Sequence, residues 1–161
     1  MRDSPRNQAR EPHALELDLP AAHSAVRMAR AVLRRFASME GAPEREIETM
    51  EFVASELLAN AVDHGGGNHA MEERDAGEVR MSFAVYVRDG GWEIHVGDQG
   101  GGDPAELEPF LKKDDIPDLE NERGRGFFLM AQMLTDLRVT RTRDQRGLLF
   151  VAVKRYGANE R

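Results

Sequence analysis

Glu56 and Asn60 stand four residues apart in the stretch SELLANAVDHGGG, which begins at Ser55. On a helix, at about 100° per residue, that spacing puts a carboxylate above a carboxamide on one face, with Asp63 close to the same line. A helix that only packed would not need a carboxylate and a carboxamide one turn apart. The line borders Leu57, Leu58 and Ala61, so its polar groups sit at the rim of a core. Glu, Asn and Asp are also common on solvated helices, and Asp63-His64-Gly65 would serve as an ordinary helix end. The line alone therefore does not decide between a site and a surface.

Two further groups bear on it. Asp98 keeps the alternating phase of Trp92, Ile94 and Val96, which turns a carboxylate toward the buried side of a strand. A lone carboxylate there costs several kcal/mol in order of magnitude unless a donor meets it. The exocyclic amine of a purine is such a donor, and Gly100, Gly101 and Gly102 just beyond would let backbone approach a ligand. Farther on, Gly124-Arg125-Gly126 leads into FFLMAQML. Glycines ahead of a helix would expose its first N–H groups to an anion, with Arg123 and Arg125 able to clamp phosphates.

The elements that must hold these groups can be read from periodicity. HALELDLP alternates Leu15, Leu17 and Leu19 with acidic residues and predicts a short edge strand. A helix follows from Pro20 to about Met39, with Val26, Ala29, Leu33 and Phe36 as its apolar stripe, ended by Gly41. Pro43 opens a second helix that runs to about His64, with Glu44 and Glu46 at its positive end. A polar loop over 65–77 precedes a hairpin that turns at Asp89-Gly90-Gly91. The charged stretch 103–123 reads as irregular, GRGFFLMAQMLTDL as a Gly-rich turn into an apolar helix, and the end as a hairpin turning near 144–147. This order predicts an α/β two-layer sandwich: a mostly antiparallel mixed sheet with helices on one face. Residues 1–12 read as a disordered arm, 13–156 as one domain and 157–161 as a tail.

Composition narrows the function. The net charge of −7 over 161 residues argues against direct nucleic-acid binding, which needs a Lys/Arg surplus. The absence of cysteine removes disulfides, thiolate metal sites and cysteine nucleophiles. No apolar run approaches a membrane span, and the first dozen residues lack the core of a signal peptide, so a cytoplasmic protein is expected. His13, His69 and His95 fit no metal-ligand spacing.

The order Glu-x-x-x-Asn-Ala, Asp-x-Gly-x-Gly, Gly-x-Gly resembles the N, G1 and G2 boxes of the GHKL (Bergerat-fold) ATPases. The leading strand, the first helix and the small size are similar to the bacterial anti-sigma factor serine/threonine kinases, over about residues 13–156. The resemblance implies a fold, ATP and Mg²⁺ as cofactors, and a set of roles. Asn60 would bind Mg²⁺, and Glu56 would act as base toward a serine or water. Asp98 would receive the adenine amine, with Gly100 and Gly102 shaping the pocket floor. Asp63, His64 and Gly65 would lie beside the nucleotide. Arg123, Gly124, Arg125, Gly126 and Phe127 would wrap the phosphates, and 104–123 would form a mobile lid. The partners implied are a sigma factor and a STAS-type anti-anti-sigma protein, with the kinase as a homodimer. Arg27, Arg30 and Arg34 form one ridge on the first helix, and Arg27 and Arg30 are the residues expected to dock an acidic partner.

Two positions depart from the family pattern. Gly147-Leu148 stands where relatives often have Gly-Thr, and Asp103-Pro104 stands where an apolar residue often follows the second box. Two alternatives stay open: an anti-sigma or adaptor module that holds ATP without transfer, and the detached ATPase part of a two-component histidine kinase. The last would need a phosphoacceptor histidine on a dimerisation helix, a context that His23 lacks.

Overall fold

The computed structural model describes residues 13–65, 79–111, 120 and 122–157. The expected arm at 1–12, nearly all of the loop at 65–77, much of the expected lid and the last four residues lie outside the described residues. The chain runs β1 (Ala14–Pro20), α1 (His23–Met39), α2 (Glu44–His64), β2 (Arg80–Arg88), β3 (Gly91–Gly97), α3 (Pro104–Leu111), α4 (Glu122–Met133), β4 (Asp136–Arg141) and β5 (Leu148–Arg155).

The strands form one sheet in the order β1-β2-β3-β5-β4, with β1 at an edge as its short alternating pattern predicted. Every pairing among them is antiparallel, which corrects the expectation of a mixed sheet. Register aligns the alternating apolar residues into rows that cross all five strands. One row is Leu17, Phe83, Val96, Phe150 and Val139; the next is Leu15, Val85, Ile94, Ala152 and Leu137. A one-residue slip would turn a whole row toward water, so burial pins the register.

The helices supply the second layer. Ala29, Leu33 and Ala37 of α1, and Met50, Val53, Ala54, Leu57 and Leu58 of α2, are fully buried. They recur at three- and four-residue intervals, the spacing of one helix face. α1 starts at His23 rather than at Pro20. It stops where Gly41 takes φ +82°, a conformation that costs side-chain-bearing residues strain. Glu46, expected only to favour the positive end of α2, is buried there, and its carboxylate accepts a 2.8 Å hydrogen bond from Trp92 Nε1–H.

Two sequence expectations fail in the second half. The stretch from Pro104 to Leu111 is a helix, not irregular chain, and it buries Leu107. Its other apolar residues, Phe110 and Leu111, pack at the margin of the core. In addition, Gly124 and Gly126 do not precede a helix: α4 begins at Glu122, so both glycines lie within its first two turns. Phe127, one residue on, is fully buried and stacks on Phe150 at 5.6 Å between ring centroids. That anchor holds the glycine turn against the core.

Candidate functional site

The C-terminal half of α2, the end of β3 and the start of α4 meet at one end of the sheet. β3 carries its inward phase one residue past Gly97, as the alternation predicted, and Asp98 is 6% exposed. Its neighbour across the sheet is the first residue of β5. Asp98 N–H donates to the Leu148 carbonyl at 2.9 Å, and Leu148 N–H donates back to Asp98 Oδ1 at 2.9 Å. Gly100 N–H also donates to Oδ1, at 3.1 Å. The donor that a buried carboxylate needs is thus supplied twice by backbone, both times on one oxygen. Burial still pushes its pKa up, against the pull of those N–H groups and of the Arg123 charge.

Close backbone approach surrounds this carboxylate. A Cβ on Gly147 would stand 1.8 Å from the Asp98 carbonyl oxygen, and one on Gly65 would stand 2.5 Å from Asp98 Cβ. A Cβ on Gly100 would meet the Gly65 carbonyl oxygen at 2.5 Å. No side chain fits at any of the three. Gly147 is a site residue that sequence reasoning missed. The Gly-Leu pair was weighed for its missing threonine, whereas the contribution of Leu148 is its backbone N–H.

On α2, the polar line behaves as its position at the core rim predicts. Glu56 and Asn60 are both partly buried. Both side-chain amide atoms of Asn60 are buried and have no hydrogen-bond partner, as is the Ser55 hydroxyl. Buried polar atoms are paired in the great majority of cases, so an orphaned carboxamide asks for an absent partner. Glu56 lies under α4, where a Cβ on Gly126 would stand 2.7 Å from Glu56 Oε2. A larger residue at 126 would make the Glu56 carboxylate shift away from α4.

The remaining expected residues divide. Asp63 is half exposed and bonded to His23 at 3.0 Å, which ties the end of α2 to the start of α1 rather than to Asp98. His64 has its pKa lowered, first by burial and then by the Arg123 charge. Gly102 is exposed, and Leu148 packs over it. Arg125 is exposed, 3.8 Å from Glu122. Arg123 turns inward: its Nε is buried without an acceptor, and its guanidinium carbon stands 5.7 Å from the centroid of the Phe127 ring. Burial lowers its pKa, while Asp98 and then Glu106 act to raise it. A cleft of about 350 Å³ lies at the same strand end, lined by Asp98 itself together with Asp18, Arg80, Ser82 and Thr142 among others.

Among the described residues no cluster of three or more His, Cys, Asp or Glu side chains could hold a metal alone. A lone carboxamide is nevertheless a fitting partner for Mg²⁺, which commonly takes one or two protein ligands and completes its shell with phosphate and water. No described helix is long and apolar enough to cross a membrane.

The chain is 28% identical over 153 residues to the serine-protein kinase RsbW of Oceanobacillus iheyensis, covering 91% of this chain and 88% of that one. Its fold is shared with a chain of the SiaB–SiaC complex from Pseudomonas aeruginosa, at a TM-score of 0.65 and 19% identity over 86% of this chain and 88% of that one. It is also shared with the RsbU and RsbW domains of a Mycobacterium tuberculosis protein, at a TM-score of 0.54 and 20% identity. That match covers 89% of this chain and 32% of the longer one. The model of the histidine kinase-like ATPase domain matches residues 19–152, and the chain belongs to that family.

Proposed function

We propose that the protein is an ATP-binding anti-sigma factor that transfers the γ-phosphoryl group of Mg·ATP to a serine or threonine of an anti-anti-sigma partner. The observation that carries this reading is the orphaned carboxamide of Asn60, set one helical turn from Glu56 on the helix whose end, Gly65, packs against the buried Asp98. An ATPase-family domain supports the nucleotide. A relative named as a serine-protein kinase supports the acceptor.

The residues divide the work by chemistry. Asp98 Oδ1 is committed to Leu148 and Gly100, and Oδ2 is the oxygen that would meet the adenine amine. Asn60 Oδ1 would hold Mg²⁺, which when bound neutralises phosphate charge. Glu56 would accept the proton of the attacking hydroxyl. Arg125, at the head of α4, would meet phosphate oxygens. Phosphoryl transfer asks a protein mainly for such positioning and charge stabilisation.

Partner docking falls to α1. Arg34 of the basic ridge is spoken for, because its guanidinium is paired with both Glu44 and Glu51. Arg27 and Arg30 have no ion pair with a described residue, which leaves them for an acidic surface. The family resemblance supports a homodimer, with a sigma factor and a STAS-type protein competing for it.

A non-catalytic ATP-holding module is the second reading, and the observation that favours it is Leu148. Its buried side chain stands where relatives often carry the threonine hydroxyl. γ-labelled ATP, incubated with the protein and its co-purified partner, tests between them. Acid-stable label on a partner serine or threonine is expected. An unlabelled partner, with nucleotide bound, would leave only the adaptor.

A further inference from the structure

β3 parts from its neighbour β2 just before the buried carboxylate. The last paired residues between the two strands are Ser82 and Gly97. On its other side β3 stays with β5 one residue longer, through the 2.9 Å bond from Asp98 N–H to the Leu148 carbonyl. Carried on by two residues, the β2–β3 register sets position 99 against Arg80. The Arg80 backbone N–H does meet Gln99 there, but its acceptor is the side-chain oxygen, Gln99 Oε1, at 3.0 Å. A side-chain amide thus takes the place of a backbone carbonyl in the next rung, and the main chain is free to turn while the Arg80 donor stays satisfied. The turn runs toward the end of α2: a Cβ on Gly100 would stand 2.5 Å from the Gly65 carbonyl oxygen.

Arg80 is a fixed post for this bond. It faces Pro20 in the β1–β2 ladder. Its Nε donates to Asp18 Oδ1 at 3.1 Å, and its Nη2 donates to the Asp18 carbonyl at 3.0 Å. β1 and β2 are therefore fastened together at the point where Gln99 attaches. Gln99 is exposed, whereas Asp98 before it and Gly100 after it are buried.

We infer that Gln99 is the positioning residue of Asp98: its amide ties the turn at 98–100 to β2 and so fixes the aim of the second carboxylate oxygen, Oδ2. Oδ1 is committed to the N–H groups of Leu148 and Gly100. Where Oδ2 points then follows from the backbone of the turn. Leu148 ties that backbone to β5, Gly100 presses it against Gly65, and Gln99 supplies the tie to β2. What Oδ2 meets rests on the nucleotide reading above; the tie to β2 does not. A hydrogen bond weakens steeply as its angle closes, so a base amine is a sensitive reporter of that aim. One exposed neutral hydrogen bond contributes little to the fold, so its loss is felt first at the site.

The test uses the full chain as wild type, Gln99→Met and Gln99→Glu. Methionine keeps the length of the side chain and removes the acceptor; glutamate restores an acceptor of the same reach. Amide exchange at Gly100 and Leu148 is measured first. ATP and ITP then compete, each with Mg²⁺, against a fluorescent ATP analogue. Inosine carries an oxygen where adenine has its amine, so ITP reports binding without that bond. Gln99→Met is expected to exchange faster at both amides and to lose about twofold to tenfold in ATP affinity, the worth of one neutral hydrogen bond. Its ITP affinity should hold, and Gln99→Glu should restore both exchange and ATP affinity. Unchanged exchange in Gln99→Met, or equal losses for ATP and ITP, would overturn the inference. Faster exchange in Gln99→Met, restored in Gln99→Glu, with no nucleotide bound by any of the proteins, would uphold Gln99 as the brace of Asp98 and sink the nucleotide reading.

Discussion

Glu46 and Asp98 are the buried charged residues of the described chain, and they stand at opposite ends of β3. Glu46 meets a side-chain donor, Trp92 Nε1–H, at the start of the strand. Asp98 follows the last residue of the strand and meets only backbone, across positions where no Cβ fits. The surroundings differ in the same sense. Near the first end, Arg34 is paired twice, with Glu44 and Glu51. Near the second lie the orphaned atoms of Asn60 and Arg123. α2 joins the two ends, carrying Glu46 in its first turn and Asn60 in its last. One end of the sandwich closes its polar accounts within the chain, and the other keeps unspent donors and acceptors for a ligand.

Substitutions at the two ends should therefore separate stability from function. The largest effect is expected at Glu56. Glu56→Ala should lower phosphoryl transfer to the partner by about 10²–10⁴-fold, the range for general-base help. Nucleotide affinity and thermal midpoint should stay near wild type. Single-turnover transfer, read beside a binding isotherm, checks both halves.

Next comes Trp92→Phe, at the closed end. It strands the buried Glu46 carboxylate and removes indole volume, at a cost on the order of 3 kcal/mol. Urea unfolding should show that loss, while nucleotide affinity of the folded protein is unchanged. A loss of nucleotide binding with stability intact would invert the comparison.

Asp98→Asn should do the reverse at the open end. The folded-state pKa of Asp98 is raised, so its ionised form is disfavoured by folding. Its contribution is most favourable below the ordinary carboxylate range and is lost as pH rises through the raised value. Asparagine keeps an acceptor for Leu148 and Gly100 without the charge. Its melting midpoint should match or exceed wild type at neutral pH, with the difference closing in acid, while nucleotide affinity falls about tenfold or more. Calorimetric melts across pH would show a lower midpoint at neutral pH if Asp98 were stabilising instead.

The smallest effect is expected away from both ends. Arg27→Glu should slow association with an acidic partner a few-fold, less so at high salt, and leave nucleotide binding alone. Surface plasmon resonance at two salt concentrations reads it.

Much of this contrast is legible in sequence, for reasons that differ by element. The strands announce themselves because Leu15-Leu17-Leu19 and Trp92-Ile94-Val96 alternate without a break, and the same phase marks Asp98 as inward. Glu56 and Asn60 follow from helical spacing. α3 escapes notice because Pro104, Pro109, Glu106 and Glu108 surround a single buried residue, Leu107, in eight residues. The glycines of α4 mislead because glycine costs about 1 kcal/mol in a helix, and the close approach to Glu56 that accompanies Gly126 is invisible in the sequence. The bonds from Trp92 to Glu46 and from His23 to Asp63 span 46 and 40 residues, and no local pattern encodes such partners.

The most direct test concerns Asn60. Titration calorimetry of ATP, with and without Mg²⁺, is run on wild type and Asn60→Ala beside their melting curves. The account predicts that wild type binds ATP more tightly with Mg²⁺ and that Asn60→Ala loses that increment. Its melting midpoint should be no lower, because the carboxamide it removes is buried without a hydrogen-bond partner. Equal Mg²⁺ dependence in the two proteins, or a large loss of stability in Asn60→Ala, would contradict the assignment of this end of the molecule to the nucleotide.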